Sequence, residues 1–308
     1  MSNVKIFSAT ASTYLATQIA DAYGRELGKV SLRKFSDGEI SASFEESVRG
    51  LDVFLIQSTF PPSDNLMELL LLIDAAKRAS AQTVTVIIPY FGYARQDRKD
   101  RPRVAIGAKL HANLLTAAGA DRVVTLDLHA GQIQGFFDIP VVHLQSTAIF
   151  LPRIKSLNLE NIVFASPDVG ATALARTYAK HFDTNIVICD KYRRKPNESK
   201  TMHVIGNVEG MHAILVDDMI DTAGTITGAA EKLLEEGALS VTAFCTHPVL
   251  SGPAYERLAN SKLTKLYVTD TIPLKEKAPN IEVLSVANLF AKAVRKINDH
   301  ESISALFI

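Results

Sequence analysis

The chain has 308 residues, of which 47% are hydrophobic and 21% are charged. This is an ordinary globular composition with enough apolar material for more than one domain. Lysine plus arginine (33) balances aspartate plus glutamate (33), so no overall field attracts nucleic acid or a membrane, and a bound anion must meet a local cluster of positive charge.

The cysteines and the N-terminus indicate the cellular compartment of the protein. The two cysteines, Cys189 and Cys245, lie within apolar runs, which argues against a disulfide framework and fits a reducing compartment. The N-terminus lacks a basic segment followed by an apolar stretch, and no apolar run reaches the roughly 18 residues that a membrane span needs. We therefore expect a soluble, cytoplasmic protein.

Short β-branched runs alternate with helical patterns along the whole chain. In chain order, strands are predicted at 53–56, 84–88, 123–126, 162–165, 186–189, 213–216 and 241–244, and helices at 65–80, 109–118, 171–182, 225–236 and 286–297. The strand runs are continuously apolar, which is typical of a parallel sheet covered on both faces. The alternation predicts an α/β fold with mainly parallel sheets covered by helices.

Polar loops follow five of the predicted strands, and ligands of α/β sheets bind at the carboxyl ends of strands. These loops are 89–103 (PYFGYARQDRKDRPR), 127–138 (DLHAGQIQGFFD), 166–171 (SPDVGA), 190–197 (DKYRRKPN) and 217–225 (DDMIDTAGT). The first two belong to one half of the chain and the other three to the second half. We expect domains at 1–146 and 147–290, an active site to which both contribute, and a C-terminal segment, 291–308, that packs back on the first domain.

The loop at 217–225 carries three aspartates directly after the predicted strand 213–216. Such acids suggest a metal site, a clamp for sugar hydroxyls, or a solvated loop. Thr222, Gly224 and Thr225 lead into a predicted helix, where small residues and the helix dipole suit a phosphate monoester. A plain capping turn is the alternative. A sugar phosphate would satisfy both halves of the motif, because its hydroxyls could meet the acids and its phosphate the turn.

The motif DDxxDTAGT resembles the ribose 5-phosphate signature of the type I phosphoribosyltransferase fold. Other stretches narrow the resemblance: FSDGE (35–39), NLMELL (65–70), YARQDRK (93–99), DLHAGQIQGFFDIP (127–140), SPD (166–168) and ESISALF (301–307). With these, the chain resembles class I ribose-phosphate diphosphokinases, also called phosphoribosyl pyrophosphate synthetases, from about residue 4 onward. That family has two similar phosphoribosyltransferase-type domains. It transfers the terminal diphosphate of ATP to the 1-hydroxyl of ribose 5-phosphate and releases AMP.

The resemblance implies a role for each matched residue. The ATP-binding residues would be Phe35, Asp37, Gly38, Glu39, Arg95 and Gln96 of the N-terminal domain. Ribose 5-phosphate would be bound by Arg193, Asp217, Asp218, Asp221, Thr222, Ala223, Gly224 and Thr225. Lys191 and Arg193 would be catalytic, in a flap, and His129 and Asp168 would be linked to the cofactor Mg²⁺.

Several of these residues have simpler explanations when each is taken alone. The run around Lys191 could be a solvated basic loop, and Ser-Asp-Gly is common turn chemistry. A single histidine such as His129 often makes only structural hydrogen bonds, and Asp168 could cap a helix. Histidine is also an unusual ligand for Mg²⁺, which prefers oxygen, so His129 could act through water or on a phosphate oxygen.

The family also implies partners and regulation. It forms homohexamers built from dimers, in which the FSDGE loop reaches a neighbouring subunit's site, and it responds to phosphate as an activator and ADP as an inhibitor. This chain departs from the family pattern at two positions near the site. Tyr192 stands where the family commonly has arginine, and Ala171 stands where the family has a second glycine after Asp168. Ala105 and Gly107 replace a proline and a serine or threonine, which puts the regulation in doubt more than the catalysis.

Two alternative functions share parts of the pattern. A phosphoribosyltransferase uses the same DDxxDTAGT arrangement but lacks FSDGE, YARQD and the doubled domain. A catalytically silent regulatory subunit should have lost the flap cations or the acids, whereas Lys191, Arg193 and all three aspartates are present. The balanced charge gives no support for binding nucleic acid.

Overall fold

The computed structural model describes residues 3–192 and 201–306. The chain divides into two compact units, one made of Met1–Ser146 with Val286–Ile308 and the other of Thr147–Ser285. The second unit ends at Ser285, five residues before the expected boundary at 290, because the next helix packs against the first helix of the first unit.

The strands and helices alternate along the chain. The first part contains β1 (Val4–Ser8), α1 (Thr13–Tyr23), β2 (Val30–Lys34), β3 (Ile40–Phe44), β4 (Asp52–Ile56), α2 (Asp64–Arg78), β5 (Thr83–Ile88), α3 (Gly107–Ala118), β6 (Arg122–Leu126) and β7 (Val141–Leu144). The second contains α4 (Thr147–Ser156), β8 (Ile162–Ser166), α5 (Thr172–Phe182), β9 (Ile186–Tyr192), β10 (Thr201–Ile205), β11 (His212–Ile220), α6 (Gly224–Glu235), β12 (Ser240–Pro248), α7 (Ala254–Ala259), β13 (Lys265–Thr269) and β14 (Ile281–Leu284). Helix α8 (Ala287–Asn298) returns to the first unit.

The sheet of the first unit is parallel, with the strand order β1-β4-β5-β6-β7. Its apolar side chains form a core with α2 and α3, as the continuous hydrophobic runs predict. Strands β2 and β3 form a separate antiparallel hairpin in which Lys34 lies opposite Ile40, and β3 contacts α2.

The sheet of the second unit has the order β10-β9-β8-β11-β12-β13-β14. All neighbours in it are parallel except the antiparallel pair β9–β10. Chain order reverses at β8, because β9 lies on one side of it and β11 on the other. Such a reversal is a topological switch point, where open α/β sheets bind ligands.

Strand β11 is longer than its sequence predicts. Its pairing with β8 ends at Leu215, but its pairing with β12 continues to Ile220. The prediction that the strand ends at residue 216 is therefore wrong, because the backbone of β12 extends it. Asp217 and Asp218 lie within the strand, beyond the point at which β8 has turned away.

The predicted α/β architecture with parallel sheets covered by helices is confirmed. The predicted helices all occur, but sequence reasoning missed the helices α1, α4 and α7, the hairpin of β2 and β3, and the strands β1, β7, β10, β13 and β14. The hairpin strands read VSLRK and ISASF, which is too polar to stand out as core strands. Antiparallel pairing and contact with α2 stabilise them.

No helix in the described part of the chain is both long and apolar enough to cross a membrane. The longest one there, α2, has 15 residues and carries charged side chains at both ends.

Candidate active site

The loop from Asp221 to Thr225 connects β11 to α6 at the switch point of the second unit. Ala223 adopts a left-handed conformation with φ 60° and ψ 0° immediately before the helix. Among residues 3–192 and 201–306, no oxygen accepts a hydrogen bond from the backbone N–H of Thr222, Ala223 or Gly224. Three consecutive N–H donors at a helix N-terminus form an anion-binding nest.

A second segment, after β12, holds this loop in place. The N–H groups of Leu250 and Ser251 donate to the carbonyls of Ile220 and Asp221 at 3.0 and 2.9 Å. The Ser251 hydroxyl also donates to the Asp221 carboxylate. Arg257 of α7 donates from Nη1 to the carbonyl oxygen of Thr222 at 2.9 Å. Sequence reasoning missed Ser251 and Arg257, because 30 and 35 residues separate them from their partners.

Asp217 and Asp218 form a pair of carboxylates at the end of β11. The pKa of the Asp217 carboxyl is raised well above its ordinary value, first by burial and then by the negative charge of Asp218. The charge of Asp168, at the end of the adjacent strand β8, raises it further. The structure therefore brings together three of the predicted site carboxylates.

Asp168 shapes the turn between β8 and α5. Its Oδ1 accepts hydrogen bonds from the N–H groups of Gly170 at 2.9 Å and Ala171 at 3.2 Å. These are the bonds of an Asx turn; the N-cap of α5 is Ala171, and within the described residues no side-chain hydrogen bond caps the helix. Ala171 has φ −85° and ψ 4°, the bridge region that turn residues occupy, and this negative φ does not require glycine.

The predicted flap lies mostly outside the described residues. The backbone of Lys191 is part of β9 and lies opposite Met202 of β10, and Tyr192 lies opposite Thr201. Arg193 lies outside the described residues.

The FSDGE segment is the tip of the β2–β3 hairpin. The Phe35 N–H donates to the Glu39 carbonyl at 2.8 Å, and the Glu39 N–H donates to the Asp37 carboxylate at 3.0 Å. Gly38 has φ 96°, which favours glycine. The Phe35 side chain is 60% exposed, so within one chain it serves no core.

Arg95 and Gln96 follow β5 and are both exposed. Gln96 is a loop residue that lies against the first turn of α3, where its carbonyl accepts the N–H of Ala108 at 3.2 Å. A Cβ atom added to Gly107 would lie 2.7 Å from the Gln96 Oε1. Glycine at position 107, where the family has serine or threonine, therefore leaves room for the Gln96 side chain. Ala105, the other departure in this segment, is exposed.

His129 follows β6, the strand next to β5, and its side chain is exposed. The peptide before it is held by a residue that sequence reasoning missed. The N–H of Leu128 donates to Nε2 of His143 at 2.8 Å, and Asp127 accepts the N–H of Ser146 at 3.2 Å. His129 belongs to the first unit and Asp168 to the second.

The acidic end of β11 fits a divalent cation. Burial and then the negative charges of Asp218 and Asp168 raise the pKa of Asp217, and a cation at this position would offset that repulsion. No group of three or more metal-binding side chains lies within the described parts of the chain. Mg²⁺ is commonly held by one or two carboxylates together with water and substrate phosphates, so the carboxylates of β11 are sufficient.

Comparison with known proteins agrees with these motifs. The N-terminal domain of ribose phosphate pyrophosphokinase matches residues 4–119, and the phosphoribosyl synthetase-associated domain matches residues 172–308. The chain is 57% identical to the ribose-phosphate pyrophosphokinase of Campylobacter jejuni, covering 100% of both chains. It is 55% identical to that of Porphyromonas gingivalis, covering 99% of this chain and 98% of the other.

A solved structure shows the same architecture. The phosphoribosylpyrophosphate synthetase from Mycobacterium smegmatis superposes with a TM-score of 0.91 at 41% identity, covering 97% of this chain and 99% of that one. The resemblance inferred from the motifs is confirmed. The chain belongs to the ribose-phosphate pyrophosphokinase family.

Proposed function

We propose that the protein transfers the β,γ-diphosphoryl group of ATP to the 1-hydroxyl of ribose 5-phosphate, giving 5-phosphoribosyl 1-diphosphate and AMP for nucleotide biosynthesis. The observation that carries this proposal is the 57% identity to a ribose-phosphate pyrophosphokinase over the full length of both chains. The chain is accordingly a transferase of diphosphate groups.

The loop after β11 would bind the sugar phosphate. The three N–H donors of Thr222, Ala223 and Gly224 suit the 5-phosphate, and the dipole of α6 favours its negative charge. Asp217 and Asp218 would accept hydrogen bonds from the ribose hydroxyls.

Mg²⁺ would be held by the carboxylates at the end of β11 together with the substrates, with His129 and Asp168 as the family's metal-linked positions. When bound, the cation supplies positive charge to the transferring phosphates. Asp217 supports this assignment, because burial and then the neighbouring carboxylates raise its pKa, and a cation would relieve the repulsion between the carboxylates.

The remaining predicted residues would serve the nucleotide and the transition state. Phosphoryl transfer depends mainly on positioning and on stabilising negative charge. Lys191 and Arg193 would stabilise that charge on the transferring diphosphate, and Arg95 and Gln96 would bind the ATP phosphates and base. The 60% exposed ring of Phe35 could stack on adenine, with Asp37 and Glu39 beside it.

A homohexamer built from dimers follows from the same assignment. The hairpin tip of one chain would complete the nucleotide site of its neighbour, which gives a role to an exposed aromatic ring. We also propose a cytoplasmic location, activation by phosphate and inhibition by ADP, as the family resemblance implies.

The test is to incubate the purified protein with ATP, ribose 5-phosphate and Mg²⁺, with and without inorganic phosphate, and to follow products by phosphorus NMR. We expect AMP together with a diphosphate on ribose C1. Formation of ADP would show transfer of a single phosphoryl group and overturn the proposal. Absence of any product would favour the silent-subunit alternative. Comparing the reactions with and without phosphate measures whether phosphate activates an enzyme that has Gly107 and Ala105 in place of the family's residues.

A further inference from the structure

We infer that Arg257 is a positioning residue that sets the shape of the ribose 5-phosphate loop; this inference rests on the proposed function. The guanidinium of Arg257 reaches from α7 to the loop and donates to the Thr222 carbonyl oxygen at 2.9 Å. Thr222 precedes α6, which begins at Gly224, so its carbonyl is not part of the helix. Arg257 therefore holds a peptide that the helix leaves unsupported.

The position of this carbonyl matters for the nest. A peptide group points its N–H and its C=O in opposite directions, so fixing the Thr222 carbonyl also fixes the direction of the Ala223 N–H. Ala223 is in the left-handed conformation, which is strained for a residue other than glycine. Such a conformation persists only where surrounding contacts impose it, and the bond from Arg257 is one of those contacts.

The surroundings of Gly224 also indicate that Arg257 lies close to the loop. A Cβ atom added to Gly224 would lie only 3.1 Å from Nη1 of Arg257. The guanidinium thus lies against the backbone of the nest itself. Within residues 3–192 and 201–306, no carboxylate oxygen lies within 4 Å of the Arg257 guanidinium, so its positive charge is available to an anion at the loop.

Ser251 acts on the residue before Thr222. Its hydroxyl donates to the Asp221 carboxylate, and its N–H donates to the Asp221 carbonyl at 2.9 Å. Ser251 and Arg257 come from one short segment after β12 and hold two consecutive residues of the loop. The loop is therefore pre-organised before ligand binds, which reduces the entropy that binding must overcome.

The test compares Arg257→Met, which keeps the apolar stem, with Arg257→Lys, which keeps a charge and a donor. Loss of a hydrogen bond to a charged group corresponds to about a tenfold weaker affinity. We expect the KM for ribose 5-phosphate to rise about tenfold in Arg257→Met, with the KM for ATP and kcat within a factor of about two. The lysine variant should recover most of the affinity.

Two further variants and a measurement of folding serve as controls for this test. Ser251→Ala should change the KM for ribose 5-phosphate in the same direction, and by less, because its backbone bond remains. Lys262→Met is the matched control, since Lys262 is an exposed cation of the same unit that pairs with Glu231 at 3.5 Å. It should leave both KM values unchanged. Circular dichroism melting curves report whether each variant is folded.

The outcomes separate this inference from the proposed function. Unchanged KM for ribose 5-phosphate in folded, active Arg257→Met would overturn the role of Arg257 and leave the function standing. Equal increases in both KM values would show a general structural effect and also overturn it. If the wild-type chain makes no product, the proposed function fails, and calorimetric titration with ribose 5-phosphate and Mg²⁺ still tests Arg257. Equal binding by wild type and Arg257→Met, or none by wild type, would reject the inference.

Discussion

Asp168 and Asp217 lie at the carboxyl ends of the adjacent strands β8 and β11, and the negative charge of Asp168 contributes to the raised pKa of Asp217. They are 49 residues apart in the sequence. They come together because chain order reverses between these two strands, the position at which open α/β sheets bind ligands. The loop from Asp221 to Thr225 follows the same end of β11.

The raised pKa of Asp217 predicts how stability depends on pH. The folded chain binds this proton more tightly than the unfolded chain does, so the contribution is complete below the ordinary value of 3.8 and is lost as pH rises through the raised pKa. Without metal, Asp217→Asn should increase the free energy of unfolding at pH 8 by on the order of 1 kcal/mol. Thermal melts in EDTA between pH 5 and pH 8 would measure this.

The same variant should weaken ribose 5-phosphate binding, because an amide would replace the charged acceptor that we propose for the ribose hydroxyls. Mg²⁺ should stabilise the wild type more than Asp217→Asn at pH 8. Glu160→Gln, an exposed position in the same unit, is the control and should behave like wild type. A stability that is independent of pH and Mg²⁺ in both proteins would contradict the assignment of Asp217.

Lys191→Ala should lower kcat by about 100-fold or more, because the role we propose for Lys191, stabilising developing negative charge, acts mainly in the transition state. The melting temperature should stay near that of wild type. Rapid-quench or coupled assays of AMP formation measure the loss, with Lys180→Ala at the exposed end of α5 as the control. Normal turnover would remove Lys191 from the mechanism.

Gly107→Ala should stabilise α3 and impair nucleotide binding. Alanine favours a helix over glycine by about 1 kcal/mol, but its Cβ would lie 2.7 Å from Oε1 of Gln96 and displace that side chain. We expect the KM for ATP to rise a few-fold and the KM for ribose 5-phosphate to stay constant. Gly135→Ala, where an added Cβ meets nothing within 4 Å, is the matched control. Unchanged ATP kinetics would show that Gln96 does not contact the nucleotide.

Phe35→Ala should raise the KM for ATP while changing the stability of the individual chain by less than about 1 kcal/mol. The reason is that its ring is 60% exposed and buries little surface in the fold. Leu239→Ala removes an equally exposed side chain (60%) from the second unit and should leave the KM for ATP unchanged.

A mixing experiment tests whether the hairpin tip serves a neighbouring chain. If each nucleotide site takes Phe35 from one subunit and Lys191 from another, hybrids of Phe35→Ala and Lys191→Ala would contain some intact sites. Activity after the two variants are unfolded and refolded together should exceed the average of the separate proteins. Activity equal to that average would place both residues in the same chain's site.

Much of the fold can be predicted from the chain alone. Continuous apolar runs indicate β4, β5, β6 and β8 to within a residue of their ends, because buried parallel strands need apolar side chains on both faces. Strands β9, β11 and β12 run three or four residues past their predicted ends, and the last four residues of β11 owe their conformation to pairing with β12. The polar strands of the β2–β3 hairpin were missed for a related reason: cross-strand pairing, not hydrophobicity, makes them strands.

The sequence by itself determined which side chains carry the chemistry: the acids and small residues of 217–225, the motifs around Phe35 and Arg95, and the family to which they belong. These are local patterns, and local spacing is enough to reveal them. Only the tertiary structure decided that Asp168 meets Asp217 and that Arg257 holds Thr222. Strand order and long-range hydrogen bonds depend on how distant segments pack, and no spacing along the chain encodes that arrangement directly.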